Sequence, residues 1–220
     1  MLLVPVPLHQ FTFEDYKVAQ DRVDVKLEFV RGEIYPKEGK TPLPVEVVEK
    51  ILSPNFNLQT LDYEFPMATS RHARIIQNLT YALISELDRE LFEVYIQDPQ
   101  IYISLTGSYR FPDITIAPTY EKQAFKGESL VNPILIIEVL SPSNVGDAFM
   151  DKVRDYQCIE SLQEYWFISQ DLPLLERFVR DRQGWLTTVF DENNEKIDSP
   201  ALATSMPLME IYRNIFESKK

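Results

Sequence analysis

The stretch Ile134-Leu135-Ile136-Ile137-Glu138-Val139-Leu140 is apolar at odd and even positions alike. A strand with one solvated face alternates; a strand that does not is covered on both sides. The chain is therefore expected to build a sheet with layers on both faces and this segment near its centre. Glu138 is the anomaly within it, because a carboxylate is costly to bury unless something positive meets it. Asp113 poses the same problem in a second strand-like run, Tyr109-Arg110-Phe111-Pro112-Asp113-Ile114-Thr115-Ile116.

The elements around these runs follow from pattern and punctuation. Thr12 is a helix N-cap with Asp15 three residues on. Asp24 to Val30 alternates polar and apolar and meets Arg31-Gly32-Glu33, which predicts a hairpin turning at Gly32. Prolines interrupt 36–66, leaving one short helix around Val45–Leu52. Ser70 to Glu93 reads as one long helix, with Ile75, Leu79, Ala82, Leu83 and Leu87 on one face. Strands follow near Phe92–Ile96 and Gln100–Ser104, then a Gly107-Ser108 turn and the strands through Asp113 and Glu138. A turn at Ser141-Pro142-Ser143-Asn144 leads into a helix over Asp147 to Ile159, with Phe149, Val153, Tyr156 and Gln157 toward the core. Glu164 to Ser169 is a buried strand. Leu175–Val179 and Trp185–Phe190 form a hairpin, and Pro207–Phe216 holds a short helix. This order predicts an α/β (α+β) chain with a mixed sheet flanked by helices and with added hairpins near both ends.

Composition narrows the function. With 220 residues the chain suits a single domain, 1–220, with 36–66 as an insertion. The single Cys158 excludes a disulfide framework and a cysteine-rich zinc site, which fits a reducing, cytoplasmic setting. Met1 to Pro7 is too short and proline-rich for a signal peptide, and no apolar run is long enough to span a bilayer. The net charge of −12 weighs against nonspecific nucleic-acid binding, which phosphate neutralisation drives. Arg71, Arg74, Arg110, Lys122, Lys126, Lys152 and Arg154 nevertheless lie close in sequence to the acidic pair, so a local site is not excluded. Asp191 to Glu195 reads as a solvated turn.

Two carboxylates at strand ends suit a hard divalent cation, which takes one or two protein carboxylates and completes its shell with water and phosphate. The Val139 carbonyl offers a third oxygen. Lys152 supplies an ammonium if its helix folds back across the sheet, and Tyr156 lies one turn further on the same face. Structural readings stand beside these. Asp113 can cap a turn or pair with Arg110, Glu138 can sit in an ion pair, and Lys152 can pair with Asp151 or Asp155. Glu28 either turns toward the metal or lies on a solvated strand face. His72 is a polar residue at a helix N-terminus, and Arg71 and Arg74 suit a solvated face. Tyr165 and Trp166 read as core, and Cys158 as a small buried apolar residue.

Taken together, Pro112-Asp113, Ile137-Glu138-Val139-Leu140-Ser141-Pro142-Ser143, Lys152 with Tyr156, and Ser161-Leu162-Gln163-Glu164-Tyr165-Trp166 resemble the Uma-two (Uma2) family of the PD-(D/E)xK nuclease superfamily. Leu27 to Glu33 and Ser70 to Ile75 resemble its upstream motifs. The resemblance implies a restriction-endonuclease-like core and a magnesium- or manganese-dependent endonuclease acting on DNA. Asp113 and Glu138 would be the metal ligands, Lys152 the catalytic lysine, and His72 a contact to substrate phosphate or the metal shell. It also implies, by analogy, a homodimer, since cutting both strands takes two sites. Two positions depart from the pattern. The superfamily's lysine lies two residues after the acidic ligand, where this chain has Leu140. The family's aspartate four residues before the helix lysine is Ala148 here. Those departures keep an alternative open, a catalytically silent nuclease-fold module for protein or nucleic-acid interaction.

Overall fold

In a computed structural model of the chain, residues 10–140, 147–193 and 196–216 are described. Helix α1 (Phe13–Arg22) begins at Thr12, whose side chain and that of Asp15 cap each other's backbone N–H. The hairpin of β1 (Leu27–Val30) and β2 (Glu33–Pro36) turns at Arg31-Gly32, both with positive φ (52° and 89°). That geometry matches the right-handed twist of the two strands and favours glycine at the turn. Helix α2 (Val45–Leu52) follows and buries Val47, Val48 and Ile51 against α1 and the hairpin.

Helix α3 (Ser70–Glu86) is capped by Thr69, whose hydroxyl accepts from the His72 N–H. It ends seven residues short of Glu93. The Asp88 carboxylate accepts the Glu90 N–H at 2.9 Å, and the Asp88 carbonyl takes the N–H groups of Leu91 and Phe92. This local turn competes with continued helix and releases Phe92 into a strand.

The next strands are β3 (Phe92–Ile96), β4 (Ile101–Ile103), β5 (Ser108–Arg110), β6 (Ile114–Pro118), β7 (Phe125–Lys126), β8 (Ser129–Leu130) and β9 (Leu135–Leu140). After them come α4 (Asp147–Gln157), β10 (Glu164–Ser169), the hairpin β11 (Leu175–Arg180) and β12 (Trp185–Phe190), the pair β13 (Ile197–Ser199) and β14 (Thr204–Met206), and α5 (Leu208–Ile211). The tail thus holds a short helix within 207–216, as expected.

Among the described residues, two six-stranded sheets form, ordered β2-β1-β5-β4-β8-β7 and β12-β11-β10-β9-β6-β3. Both are mixed: β9 and β10 run parallel, joined through α4, while most neighbours are antiparallel. The run Tyr109–Ile116 is therefore not one strand. It breaks at Phe111-Pro112-Asp113, with β5 in the first sheet and β6 in the second. Pro112 has no N–H to give a ladder, which suits it to that joint. Asp113 sits where the chain crosses from one sheet to the other.

The central strand is covered on both faces, as its sequence demands. Leu135, Ile137 and Val139 pack under α3 with Ile75, Leu79 and Leu83. Ile136 packs on the other face with Val153 and Tyr156 of α4, Tyr165 and Phe167 of β10, and Ile101 and Ile103 of the first sheet. Trp166 and Tyr165 are core, as read from the sequence. Cys158 is only half-buried, its thiol directed to the Arg154 carbonyl. The Met1–Pro7 segment, the Ser141–Asn144 turn and part of the Asp191–Glu195 turn lie outside the described residues.

Candidate active site

The pairing of β6 with β9 fixes the centre. Ile114 lies opposite Ile137, so one step along the same antiparallel register sets Asp113 opposite Glu138. Both are almost wholly buried (1% and 3% exposed). Asp113 is anchored to the neighbouring strand, because its Oδ2 accepts the Val139 N–H at 2.8 Å. Its Oδ1 meets the Lys37 ammonium at 2.5 Å and lies 3.2 Å from His72 Nε2. The imidazole is close to Asp113 but not aligned for a hydrogen bond.

Glu138 is held from α4. Lys152 Nζ lies 3.0 Å from its Oε1, and the Tyr156 hydroxyl donates to the same oxygen. Residues 152 and 156 are one turn apart, and both reach the carboxylate, as the helical spacing predicts. Lys152 pairs with neither Asp151 nor Asp155. Those acids are taken by Arg31, Arg154 and Arg110.

Arg110 does not pair with Asp113 either. It donates to Asp155 through Nε (2.7 Å) and lies 3.1 Å from Glu28 Oε2. Glu28 is buried, neither solvated nor part of the acidic pair; its second oxygen accepts the Phe111 N–H at 2.9 Å. Glu28, Arg110, Asp155 and Arg31 thus form an ion network that ties the β1–β2 hairpin to α4 beside Lys152. Arg71 pairs with Asp171 and Arg74 donates to the Asn214 carbonyl, both at the surface.

The electrostatics of the two acids diverge. Burial favours the neutral acid at Asp113, but Lys37 and His72 outweigh it and hold the carboxyl well below the usual range. At Glu138 burial prevails: it pushes the carboxyl up against the pull of Lys152, and the Asp113 charge adds to the rise. Burial disfavours the ammonium of Lys37, yet Asp113, Glu138 and Glu38 together raise its pKa well above the ordinary value. Burial opposes the charge on Lys152 too, and Glu138 and Glu28 overcome it. The Tyr156 phenol is raised far above its ordinary value by burial and by Glu138, so it stays a donor.

Sequence reasoning missed Lys37 and Glu38. Both stand just after β2 at the start of the segment read as an insertion, and Lys37 Nζ lies 3.5 Å from Glu38 Oε1. No local signal marks them, because Lys37 meets an acid 76 residues further along the chain. A pocket of about 510 Å³, lined by Glu38, Lys40, Tyr63, Thr69, His72 and Gln170 among others, opens beside His72.

The donor set fits a divalent cation in chemistry. Two carboxylates and a neighbouring carbonyl supply hard oxygens, and an unbonded imidazole nitrogen faces one of them. The ammonium groups of Lys37 and Lys152 already stand against both acids, which marks the centre as a place for positive charge.

Known proteins resemble this chain in sequence and in fold. Residues 63–208 match the family model Uma2, described as a putative restriction endonuclease. The chain is 29% identical over 187 residues to the uncharacterized protein sll1609 of Synechocystis, covering 84% of this chain and 90% of that one. It is 22% identical over 211 residues to the uncharacterized protein slr1290 of the same organism, covering 95% of each. Its fold resembles a crystal structure described as a putative nuclease belonging to DUF820 from Anabaena variabilis. That likeness has a TM-score of 0.60 at 15% identity, covering 89% of this chain and 94% of the other.

Proposed function

This chain belongs to the Uma2 family of putative restriction endonucleases, and on that premise we propose that it is a divalent-metal-dependent endonuclease hydrolysing DNA phosphodiester bonds. The observation that carries the reading is that Asp113 and Glu138 stand opposite each other on adjacent strands, with Lys152 Nζ 3.0 Å from Glu138. Asp113, Glu138 and the Val139 carbonyl would hold magnesium or manganese. The bound ion would supply charge neutralisation at the phosphate and a more acidic attacking water.

The chain's own residues do the rest. Asp113 stays ionised next to Lys37 and is braced by the Val139 N–H, so it presents a fixed anion. Lys152 places a positive charge where negative charge builds on the phosphate oxygens, and α4 fixes it there. Tyr156 keeps Glu138 from rotating away. His72 borders the pocket through which a phosphate approaches. Water adds to phosphorus in line, the bond to one ester oxygen breaks, and the two water protons end on the new phosphate and the released alcohol. No covalent intermediate is required. Cleaving both strands calls for two such centres, hence a homodimer, and the free thiol of Cys158 suits the cytoplasm.

The test is nicking and linearisation of supercoiled plasmid with magnesium or manganese. Asp113→Asn and Glu138→Gln should abolish cleavage while the fold is retained. Cleavage by neither ion, or equal cleavage by Asp113→Asn, would defeat the proposal. The second reading, a silent nuclease-fold module, is favoured by one observation: Lys37 and Lys152 stand in ion pairs with the two acids. Calorimetric titration with manganese separates the two, since the silent module shows no binding that depends on Asp113 and Glu138.

A further inference from the structure

Lys37 and Glu38 lie upstream of the segment that matches the family model, yet both reach the centre. There, one donor atom each of Glu38, His72 and Asp113 lies within 4.8 Å of the others. A cluster of charges alone would mean little. His72 makes this one informative: it is 4% exposed, and its Nε2 forms no hydrogen bond although it lies beside the Asp113 carboxylate. Buried polar nitrogens nearly always find a partner, so an orphan beside a carboxylate calls for one. What fills the space is an ammonium, Lys37 Nζ, in contact with Asp113 and near Glu38.

We propose that Glu38, His72 and Asp113 form a second divalent-cation seat, preferring manganese-class ions to magnesium, which Lys37 occupies until an ion displaces it. The preference follows from the donors. Magnesium seeks oxygen and gives up water reluctantly, whereas imidazole suits first-row transition metals. Thr69 fixes the seat on the α3 side, since its side-chain cap orients the turn that carries His72. Lys37 is a competitor built into the chain. The apparent affinity for an ion is lowered by the fraction of molecules whose seat the ammonium still fills. The inference deepens the proposed function by sharing Asp113, but it stands on its own donors.

The seat is tested on the full chain without measuring cleavage. Manganese is titrated calorimetrically near neutral pH, and pulsed electron paramagnetic resonance of the bound ion reads nitrogen-14 coupling. Coupling from one imidazole is expected in the unmodified protein and is lost in His72→Gln. Lys37→Met should tighten manganese binding by about tenfold or more, because the competitor is gone. Glu38→Gln should weaken it. An ordinary structural ion pair predicts otherwise: Lys37→Met would destabilise the fold and bind manganese no tighter. Absence of nitrogen coupling in the unmodified protein overturns the seat, whatever the variants do. So does a folded Lys37→Met variant with unchanged affinity. Nitrogen coupling without cleavage keeps the seat and removes the nuclease reading. Manganese-dependent cleavage that needs Glu138 but shows no nitrogen coupling does the reverse.

Discussion

Arg110→Met tests the network that positions Lys152. Arg110 is 4% exposed, and its partners Asp155 and Glu28 are 0% and 2% exposed. It approaches Asp155 Oδ2 at 2.7 Å through Nε and 2.6 Å through a terminal nitrogen, and Glu28 at 3.1 Å. Methionine keeps much of the volume but strands two buried carboxylates. Breaking one partner of a buried ion pair costs about 3–5 kcal/mol. Two contacts survive: Arg31 on Asp155 at 3.0 Å and the Phe111 N–H on Glu28 at 2.9 Å. The loss therefore belongs at the lower end, about 3 kcal/mol. For a chain of this size that lowers the melting temperature by about 6–12 °C. Urea unfolding should show a reduced midpoint with an unchanged slope. Adding Asp155→Asn should cost much less than the sum of the single losses, because the two residues form one unit. A shift in Arg110→Met below about 1 kcal/mol, the range of an exposed pair, would refute the reasoning.

Further outcomes follow from the same geometry. Lys152→Met should reduce any plasmid cleavage about 10²–10³-fold with little change in the circular dichroism spectrum, as expected for loss of one preorganised charge at the phosphate; equal rates would remove Lys152 from the mechanism. Tyr156→Phe takes a donor from ionised Glu138, so its carboxyl, already raised, should move higher still, which a carbon-13 NMR titration reads directly. The Asp113–His72 contact should be pH-dependent in a defined window. Asp113 is lowered from 3.8, so its contribution is present above that value and fades as pH falls through the lower folded value. His72 is raised above 6.5: burial opposes the rise, and the Asp113 contact and charge more than offset it. Its contribution is complete below 6.5 and disappears as pH climbs through the folded value. The melting-temperature gap between the native chain and His72→Gln should thus be wider at mildly acidic than at mildly alkaline pH; a gap that grows with pH would contradict the assignment. Gly32→Ala places a side chain at φ 89° with its Cβ 3.0 Å from Gln10, and should cost about 1–2 kcal/mol in urea unfolding.

Much of the frame was legible in the chain itself. The unbroken apolar run around Glu138 predicted a strand covered on both faces, and α3 and α4 cover it. Gly32 marked its hairpin because that turn needs positive φ, and Thr12 marked its helix because a side-chain oxygen caps free N–H groups. The four-residue spacing of Lys152 and Tyr156 predicted that both would reach the same object, which is Glu138. These signals are local, arising from steric limits and periodicity within a few residues of one another.

The failures were also physical. The helix from Ser70 ran on past Glu86 in the pattern because its apolar spacing persisted, and only the Asp88 turn and the pairing of Phe92 with Pro118 ended it. The Tyr109–Ile116 run looked continuous because apolar residues flank Pro112-Asp113 on both sides, although its halves belong to different sheets. Lys37 lies 76 residues from Asp113. Nothing in its neighbourhood distinguishes it from an exposed lysine. The sequence determined which segments had to be strands and helices and where a buried carboxylate would need a cation. Only the tertiary structure decided which cations those were, because a charge separated by so many residues is chosen by the register of two sheets and the reach of a side chain, neither of which a local pattern encodes.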